Sequence, residues 1–131
     1  MATESRTVLI VEDNYIVAAA LALTFGEGGF TVLGPAASLD DATRHATEGG
    51  PDCAVLDINV RGGSTVELGR SLVARGIPVV FVSGYGEIPE LHGDDDPLLS
   101  VPRVTKPADP FEVLTAVSRL LDDPSPVEQV P

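Results

Sequence analysis

The strongest indication of the fold class is the stretch Thr7-Val8-Leu9-Ile10-Val11-Glu12-Asp13. Its β-branched and aliphatic run is typical of a strand buried on both faces. The same pattern, an apolar run followed by a polar side chain, recurs at Cys53–Asp57, Val79–Ser83 and Arg103–Pro107. A short strand is also predicted at Phe30–Leu33. Five strands alternating with helical segments predict an α/β fold with a parallel sheet, right-handed crossovers and helices on both faces.

Four helices are predicted from polar caps and from glycine or proline breaks. The first two run from Asn14 to about Phe25 and, after the cap Ser38, over Leu39–Thr47. The third runs from a Ser64–Glu67 capping box to Gly76, and the fourth follows an Asp109–Glu112 capping box with Pro110 at its first position. The apolar stripe of the last helix is predicted to hold Phe111, Leu114, Val117 or Ser118, and Leu121.

The segment from Glu87 to Pro102 breaks this alternation, because prolines and a glycine interrupt it. We expect at most a short helix there, at Pro89–His92, and we expect the segment to be the mobile part of the fold. The acidic run Asp94-Asp95-Asp96 is interpreted as a solvated loop rather than as a metal site.

Length and composition favour one globular domain, since 131 residues with 44% hydrophobic and 21% charged residues suit a single packed core. We expect this domain at residues 6–122, between a flexible N-terminus at 1–5 and a flexible acidic, proline-rich tail at 123–131. With one cysteine, Cys53, and no recognisable signal peptide or membrane span, the sequence favours the cytoplasm. The net charge of −12 disfavours direct binding to nucleic acid or to an anionic membrane.

Glu12, Asp13 and Asp57 follow two strands that are predicted to be neighbours. Open α/β folds bind ligands at the carboxyl ends of their strands, so these acids are expected in one cleft. Three carboxylates in a cleft raise the pKa of at least one of them unless a cation is present. Mg²⁺ fits this donor set, and the backbone carbonyl of Asn59 is a further candidate ligand.

Ser83 and Lys106 add a hydroxyl and an ammonium group at the same edge of the sheet. A carboxylate beside Mg²⁺ can form an aspartyl phosphate, and the phosphoryl oxygens then need donors of this kind. Other chemistries fit less well. His45 and His92 lack zinc-site spacing, no glycine-rich phosphate loop follows the first strand, the Gly-x-Ser-x-Gly motif is absent, and Cys53 is expected to be an inert core thiol.

As a set, Glu12-Asp13, Asp57, Ser83 and Lys106-Pro107 resemble the receiver domain of two-component response regulators, over about Arg6 to Leu121. The resemblance implies a flavodoxin-like, doubly wound (βα)₅ fold whose five-stranded parallel sheet has the order 2-1-3-4-5. It also implies a cis peptide bond between Lys106 and Pro107.

The resemblance further implies that Asp57 is the phosphoacceptor and that the donor is a phosphohistidine of a sensor histidine kinase or phosphotransfer protein. Mg²⁺ is then held by Glu12, Asp13, Asp57 and the Asn59 carbonyl, and Ser83 and Lys106 contact the phosphoryl oxygens.

One departure concerns the switch residues. Most receivers carry Tyr or Phe three residues before the lysine, where this chain has Arg103, and Tyr85 stands two residues past Ser83 instead. The run Pro78–Gly86 resembles the FAT-GUY subgroup of receivers, which occurs largely in alphaproteobacteria and often as single-domain proteins. We therefore expect Tyr85 and the segment Glu87–Pro102 to carry the signalling movement.

Three readings remain open. The favoured one is a stand-alone receiver, not a turnover enzyme, that relays phosphoryl groups, serves as a phosphate sink or switches binding to a downstream protein. The alternatives are the receiver portion of a hybrid histidine kinase and a receiver-like interaction module that is never phosphorylated. A Mg²⁺-dependent phosphohydrolase is disfavoured, because Asn59 occupies the place of its general acid and cannot donate a proton as a carboxylic acid does.

Overall fold

The computed structural model describes residues 6–84 and 90–122. Within them the strands are β1 (Thr7–Val11), β2 (Thr31–Ala36), β3 (Cys53–Asp57), β4 (Asn59–Val60), β5 (Gly63–Ser64), β6 (Val79–Ser83) and β7 (Arg103–Thr105). The α-helices are α1 (Tyr15–Glu27), α2 (Leu39–Gly49), α3 (Val66–Ala74) and α4 (Pro110–Asp122), and a 3₁₀ helix spans Pro97–Ser100. The predicted flexible segments 1–5 and 123–131, and the switch candidate Tyr85, lie outside the described residues.

Five strands form one parallel sheet in the order β2-β1-β3-β6-β7. This confirms the predicted α/β fold and its 2-1-3-4-5 order, once the small antiparallel hairpin β4–β5 is set aside. The hairpin was not predicted. Because the strands are parallel and in register, their carboxyl ends meet at one edge of the sheet.

The two faces of the sheet carry separate apolar layers. Leu9, Leu56 and Phe81 point to the layer covered by α2 and α3, whereas Ile10 and Val55 point to the layer covered by α1 and α4. Every residue of β3 and of β6 is buried. Central strands that are apolar on both faces need helices on both sides, which gives the three-layered arrangement.

Local capping explains where most helices begin. The side chain of Asn14 accepts hydrogen bonds from two amides of α1, and that of Ser38 accepts one from Asp41 at the start of α2. The Asp109–Glu112 capping box is confirmed. The Asp109 side chain accepts the backbone N–H of Phe111 at 2.8 Å, and the Glu112 side chain accepts that of Asp109 at 3.1 Å.

The predicted Ser64–Glu67 capping box is wrong. Ser64 belongs to β5, where it pairs with Asn59, and α3 begins at Val66. The Ser64 hydroxyl oxygen accepts the Val66 amide, but Glu67 turns away to form an ion pair with Arg70. The hairpin therefore fixes Ser64 one position too early to cap the helix.

The predicted position of Phe111 in the apolar stripe of α4 is also wrong, since 65% of the residue is exposed. The buried positions of this helix are Val113 and Val117. A helix turns by about 100° per residue, so Phe111 lies about 200° from Val113 and faces away from the sheet.

The connection from β6 to β7 differs from the prediction in two ways. Residues 90–92 are not helical, and the short helix lies instead at Pro97–Ser100. Asp94 and Asp95 are exposed as expected, but Asp96 is buried, so the solvated-loop interpretation is wrong for this residue. The mobility predicted for Glu87–Pro102 stays a prediction.

Asp96 is buried because its carboxylate has a full set of partners. It forms an ion pair with Arg70 of α3 at 2.8 Å and accepts the backbone amides of His92 and Leu98 at 2.6 and 2.9 Å. Arg70 also donates to the Glu90 carbonyl at 2.8 Å. This Arg70–Asp96 ion pair ties the connection before β7 to helix α3.

No helix in the described ranges is both long enough and apolar enough to cross a membrane.

Candidate functional site

The site residues lie where four strands end at the same edge of the sheet. Glu12 and Asp13 follow β1, and Asp57 is the last residue of β3, the strand that pairs with β1. Ser83 ends β6, and Lys106 follows β7. In the register of the sheet Asp57 lies opposite Val82, and Ser83 lies opposite Thr105. The alignment that the sequence predicted is therefore present.

The three acids form a tight cluster. One carboxylate oxygen from each of Glu12, Asp13 and Asp57 lies within 4.8 Å of the other two. Glu12 and Asp57 are buried, and Asp13 is the most exposed of the three. Carboxylates this close repel one another, and the repulsion is relieved by protonation or by a cation.

Lys106 supplies one such cation. Its Nζ lies 2.9 Å from Oε1 of Glu12 and 3.0 Å from Oδ2 of Asp57, so the ammonium group bridges the two buried acids. Its backbone N–H donates to the Ser83 carbonyl at 2.7 Å. The peptide bond between Lys106 and Pro107 is cis, as the resemblance implied.

Glu12 is held from two sides. Besides the Lys106 contact, its Oε2 accepts the backbone N–H of Asn14 at 3.0 Å, directly before α1. Its own backbone N–H donates to the carbonyl of Ala36 at the end of β2. The side chain is therefore fixed toward the cleft, with 1% of it exposed.

The pKa values of the site reflect an imbalance of charge. The pKa of Asp57 is raised to about 6, because burial, the largest cause, and the negative charge of Glu12 together outweigh the hydrogen bond from Lys106, which lowers it. Burial lowers the pKa of Lys106, but its hydrogen bonds to Glu12 and Asp57 outweigh this and raise the pKa above its ordinary value. Three ionised carboxylates beside one ammonium group leave two negative charges unpaired, which favours binding of a cation.

Thr65 is a site residue that the sequence did not reveal. Its side chain is buried, and its hydroxyl donates to the Asp57 carbonyl at 2.6 Å. Its backbone N–H donates to the Ile58 carbonyl at 2.8 Å. Thr65 thus fixes the backbone carbonyls of Asp57 and Ile58 and closes the base of the β4–β5 hairpin. A threonine before a helix normally indicates a cap, and no local signal shows that its hydroxyl bonds to a strand instead.

The remaining candidates lie around this cluster. Asn59 begins β4 with an exposed position next to the site, and Ser83 is buried at the end of β6. Arg103 is exposed on β7, the edge strand. Cys53 lies at the other end of β3, where burial raises the pKa of its thiol to about 12, which fits the predicted inert core thiol.

The chain matches the response regulator receiver domain over residues 8–118, and it therefore belongs to that family. Among solved structures it is similar to SdrG from Sphingomonas melonis Fr1, with 30% identity, a TM-score of 0.72 and coverage of 92% of this chain and 99% of that one.

Two further structures are similar. The receiver domain of PhyR from Erythrobacter litoralis is 25% identical, with a TM-score of 0.73 and coverage of 90% of this chain and 91% of that one. A CheY-like receiver domain protein from Methanospirillum hungatei JF-1 shares the fold at 19% identity, with a TM-score of 0.77 and coverage of 92% of this chain and 96% of that one. No curated protein sequence matches this chain. The predicted fold and family are thus confirmed.

Proposed function

We propose that this chain is a phosphoacceptor response regulator in which Asp57 receives a phosphoryl group from a phosphohistidine of a sensor histidine kinase or phosphotransfer protein. One observation carries the proposal. Asp57 is a buried acid at a strand end, 3.0 Å from the ammonium group of Lys106 and within a cluster of two other carboxylates. A single ammonium group faces two buried acids here, and a buried acid in a cleft with a raised pKa and a specific charge partner is a candidate functional residue.

The proposed reaction is an in-line displacement at phosphorus. A carboxylate oxygen of Asp57 forms the new P–O bond while the P–N bond of the phosphohistidine breaks, and the departing imidazole takes up a proton. With a pKa of about 6, Asp57 is mostly ionised at neutral pH and able to attack. Lys106 lies beside the attacking carboxylate of Asp57. In the proposed reaction its ammonium group stabilises the negative charge on the phosphoryl oxygens, and the hydroxyl of Ser83 is a second donor to them.

The residues at the site fit Mg²⁺. This ion prefers oxygen ligands and few carboxylates, and the cluster offers three acids with two uncompensated charges. The proposed ligands are Glu12, Asp13, Asp57 and the backbone carbonyl of Asn59. When bound, Mg²⁺ neutralises charge on the transferring phosphoryl group. Lys106 contacts Oδ2 of Asp57, so its ammonium group would lie within reach of a phosphoryl group carried by that side chain.

The proposed output is a change in protein–protein contacts, or storage of phosphoryl groups as a sink, with phosphorylation and dephosphorylation catalysed by the chain itself in the cytoplasm. We assign the chain to the FAT-GUY subgroup on its Pro78–Gly86 run, with Arg103, Tyr85 and Pro107 at the switch positions. If Tyr85 and Glu87–Pro102 carry the signal, a phosphoryl mimic changes hydrogen exchange in that segment. Unaltered exchange throughout the segment contradicts this part of the proposal.

Phosphorylation of purified protein by a panel of histidine kinases, with Mg²⁺, tests the proposal. Wild type and Asp40→Asn, a variant of an exposed acid on α2, are expected to take up label. Asp57→Asn is expected to take up none, and chelation of Mg²⁺ is expected to abolish the labelling of wild type and Asp40→Asn. Label that persists in Asp57→Asn overturns the assignment.

A further inference from the structure

Arg61 lies at the tip of the β4–β5 hairpin, four residues beyond Asp57. With Glu12, Asp13 and Tyr15 it lines a cavity of about 260 Å³, whose other walls are alanines of α1 and Pro35 and Ala37 near the end of β2. The cavity therefore adjoins the acidic cluster on the side open to solvent. Arg61 was not among the residues that the sequence indicated.

The backbone of Arg61 is well fixed. The Arg61 carbonyl accepts the backbone N–H of Leu39 at 2.7 Å. Arg61 also forms an isolated parallel β-bridge with Ser38, directly before α2. The base of the same hairpin is closed by the bonds from Thr65 to Asp57 and Ile58. The position of Arg61 is thus coupled to that of Asp57 through the hairpin.

The guanidinium group of Arg61, in contrast, is uncommitted. The residue is exposed and forms no ion pair with any residue in the ranges 6–84 and 90–122, although two acids border the same cavity. Lys106 is engaged by Glu12 and Asp57, and Arg70 by Asp96 and Glu67. Among the described residues, Arg61 is therefore a cation at this entrance that no acid engages and that is able to bind an incoming group.

A further cation at this entrance favours the approach of a phosphoryl donor, because the carboxylates that attract a metal ion repel an anionic group. The chain carries a net charge of −12, and the carboxylates of the site add a local negative field. A phosphoryl group approaching Asp57 is itself anionic. A guanidinium group presents several N–H donors in a planar fork that matches phosphoryl oxygens, and it keeps its charge at any physiological pH.

We propose that Arg61 is a donor-binding residue that holds the phosphoryl oxygens of the incoming phosphodonor at the mouth of the Asp57 site. The ligand class is a phosphoryl group on a nitrogen or acyl oxygen, and the inference rests on the proposed phosphoacceptor function. The residue would raise the local concentration of donor and orient it, and it would take no part in holding the metal ion.

The test uses the whole chain with Mg²⁺ and a small donor, acetyl phosphate or phosphoramidate. The second-order rate constant for phosphorylation of Asp57 is measured as a function of salt. Loss of one charge-assisted contact at an exposed site is expected to slow Arg61→Ala about five- to tenfold, and Arg61→Lys, which keeps the charge, is expected to recover most of the rate. Arg44→Ala, a matched exposed cation on α2, is expected to react as wild type does.

Two further readouts separate donor binding from damage to the site. The salt dependence of the rate is expected to be weaker in Arg61→Ala, since one charge contact is missing. Calorimetric titration with Mg²⁺ is expected to show equal or tighter binding in Arg61→Ala, because a nearby positive charge is removed. Weaker Mg²⁺ binding together with an equally slow Arg61→Lys variant indicates a structural role and overturns the inference.

An Arg61→Ala variant that is phosphorylated as fast as wild type overturns this inference and leaves the proposed function intact. A wild-type chain that takes up no phosphoryl group at Asp57 from any donor overturns both.

Discussion

Asp57 and Asp96 are buried to almost the same degree, with 6% and 5% of each residue exposed, and their pKa values are shifted in opposite directions. Burial raises the pKa of Asp57 to about 6, whereas the hydrogen bonds from Arg70 hold the pKa of Asp96 well below its usual range. The difference lies in their partners. Asp57 shares one ammonium group with Glu12, which is also buried. Asp96 accepts two backbone amides and the guanidinium group of Arg70, which it shares only with the exposed Glu67 among the described acids.

In the proposed function, this contrast separates a reactive acid, Asp57, from a structural one, Asp96. A buried carboxylate with all of its oxygen lone pairs satisfied holds its negative charge firmly and fixes the chain around it. A buried carboxylate with incomplete compensation keeps an affinity for cations and an oxygen available to attack phosphorus. The chain thus contains both kinds within one fold, one in the β6–β7 connection and one at the end of β3.

Lys106→Met is expected to have the largest effect on stability, because it leaves Glu12 and Asp57 without their shared cation. Methionine keeps the apolar stem, so the loss reports on the charge. In metal-free buffer at pH 7 we expect the free energy of unfolding to fall by about 2 kcal/mol, less than for a fully buried pair, since Lys106 is partly exposed. Urea denaturation measures the change. Arg119→Met, a variant of an exposed cation, is the control, and an equal loss in both variants contradicts the account.

Asp57→Asn is expected to stabilise the metal-free protein at pH 7. The folded pKa of about 6 lies above the ordinary value of 3.8, so ionisation of Asp57 as the pH rises from about 4 to about 6 destabilises the native state. Removing the charge should raise the free energy of unfolding by about 1–2 kcal/mol above pH 6, and the gain should vanish below about pH 4. Urea denaturation across this pH range checks both the sign and the window.

Asp96→Asn is expected to act in the opposite direction and more locally. The folded pKa of Asp96 is lowered, so its stabilising effect is present above about pH 4 and is lost as the pH falls toward the folded value. At pH 7 the amides of His92 and Leu98, which donate to this carboxylate, should exchange about tenfold faster in the variant. Asp95→Asn, an exposed neighbour, is the control. Asparagine variants at 57 and 96 that shift stability in the same direction at pH 7 would refute the comparison.

Thr65→Val tests whether the backbone around Asp57 is held as firmly as that around Asp96. The change keeps the shape and removes the hydroxyl that donates to the Asp57 carbonyl, so we expect a loss of about 1 kcal/mol in the free energy of unfolding. Phosphorylation should slow as well, because the end of β3, which carries the proposed acceptor Asp57, is less well fixed in the variant. Thr43→Val on the exposed face of α2 is the matched control, and equal effects of the two changes on phosphorylation count against a role for Thr65 in positioning.

The sheet and the acidic cluster were predictable because both depend on local patterns. Aliphatic runs such as Val8–Val11 indicate buried strands, and a parallel sheet brings the residues that follow them to one edge whatever the details of packing. Asn14 and Asp109 were recognisable as caps because a cap bonds to amides within its own turn.

The contacts that the sequence did not reveal are those between distant segments. Arg70 and Asp96 are 26 residues apart, and nothing in an acidic run shows that its last member meets an arginine of another helix. The hydroxyl of Thr65 reaches back eight residues to the strand. Phe111 was misplaced for a related reason, because the helix periodicity does not show which face the sheet covers.

Mapping the acyl phosphate shows which residue of the chain accepts the phosphoryl group. Protein phosphorylated in the presence of Mg²⁺ is reduced with borohydride, which converts a phosphorylated aspartate to homoserine, and is then digested and sequenced by tandem mass spectrometry. Homoserine is expected at position 57 alone, with Asp13 and Asp96 unmodified. Homoserine at position 13, or the corresponding alcohol at Glu12, with Asp57 intact, would contradict the assignment of Asp57 as the phosphoacceptor.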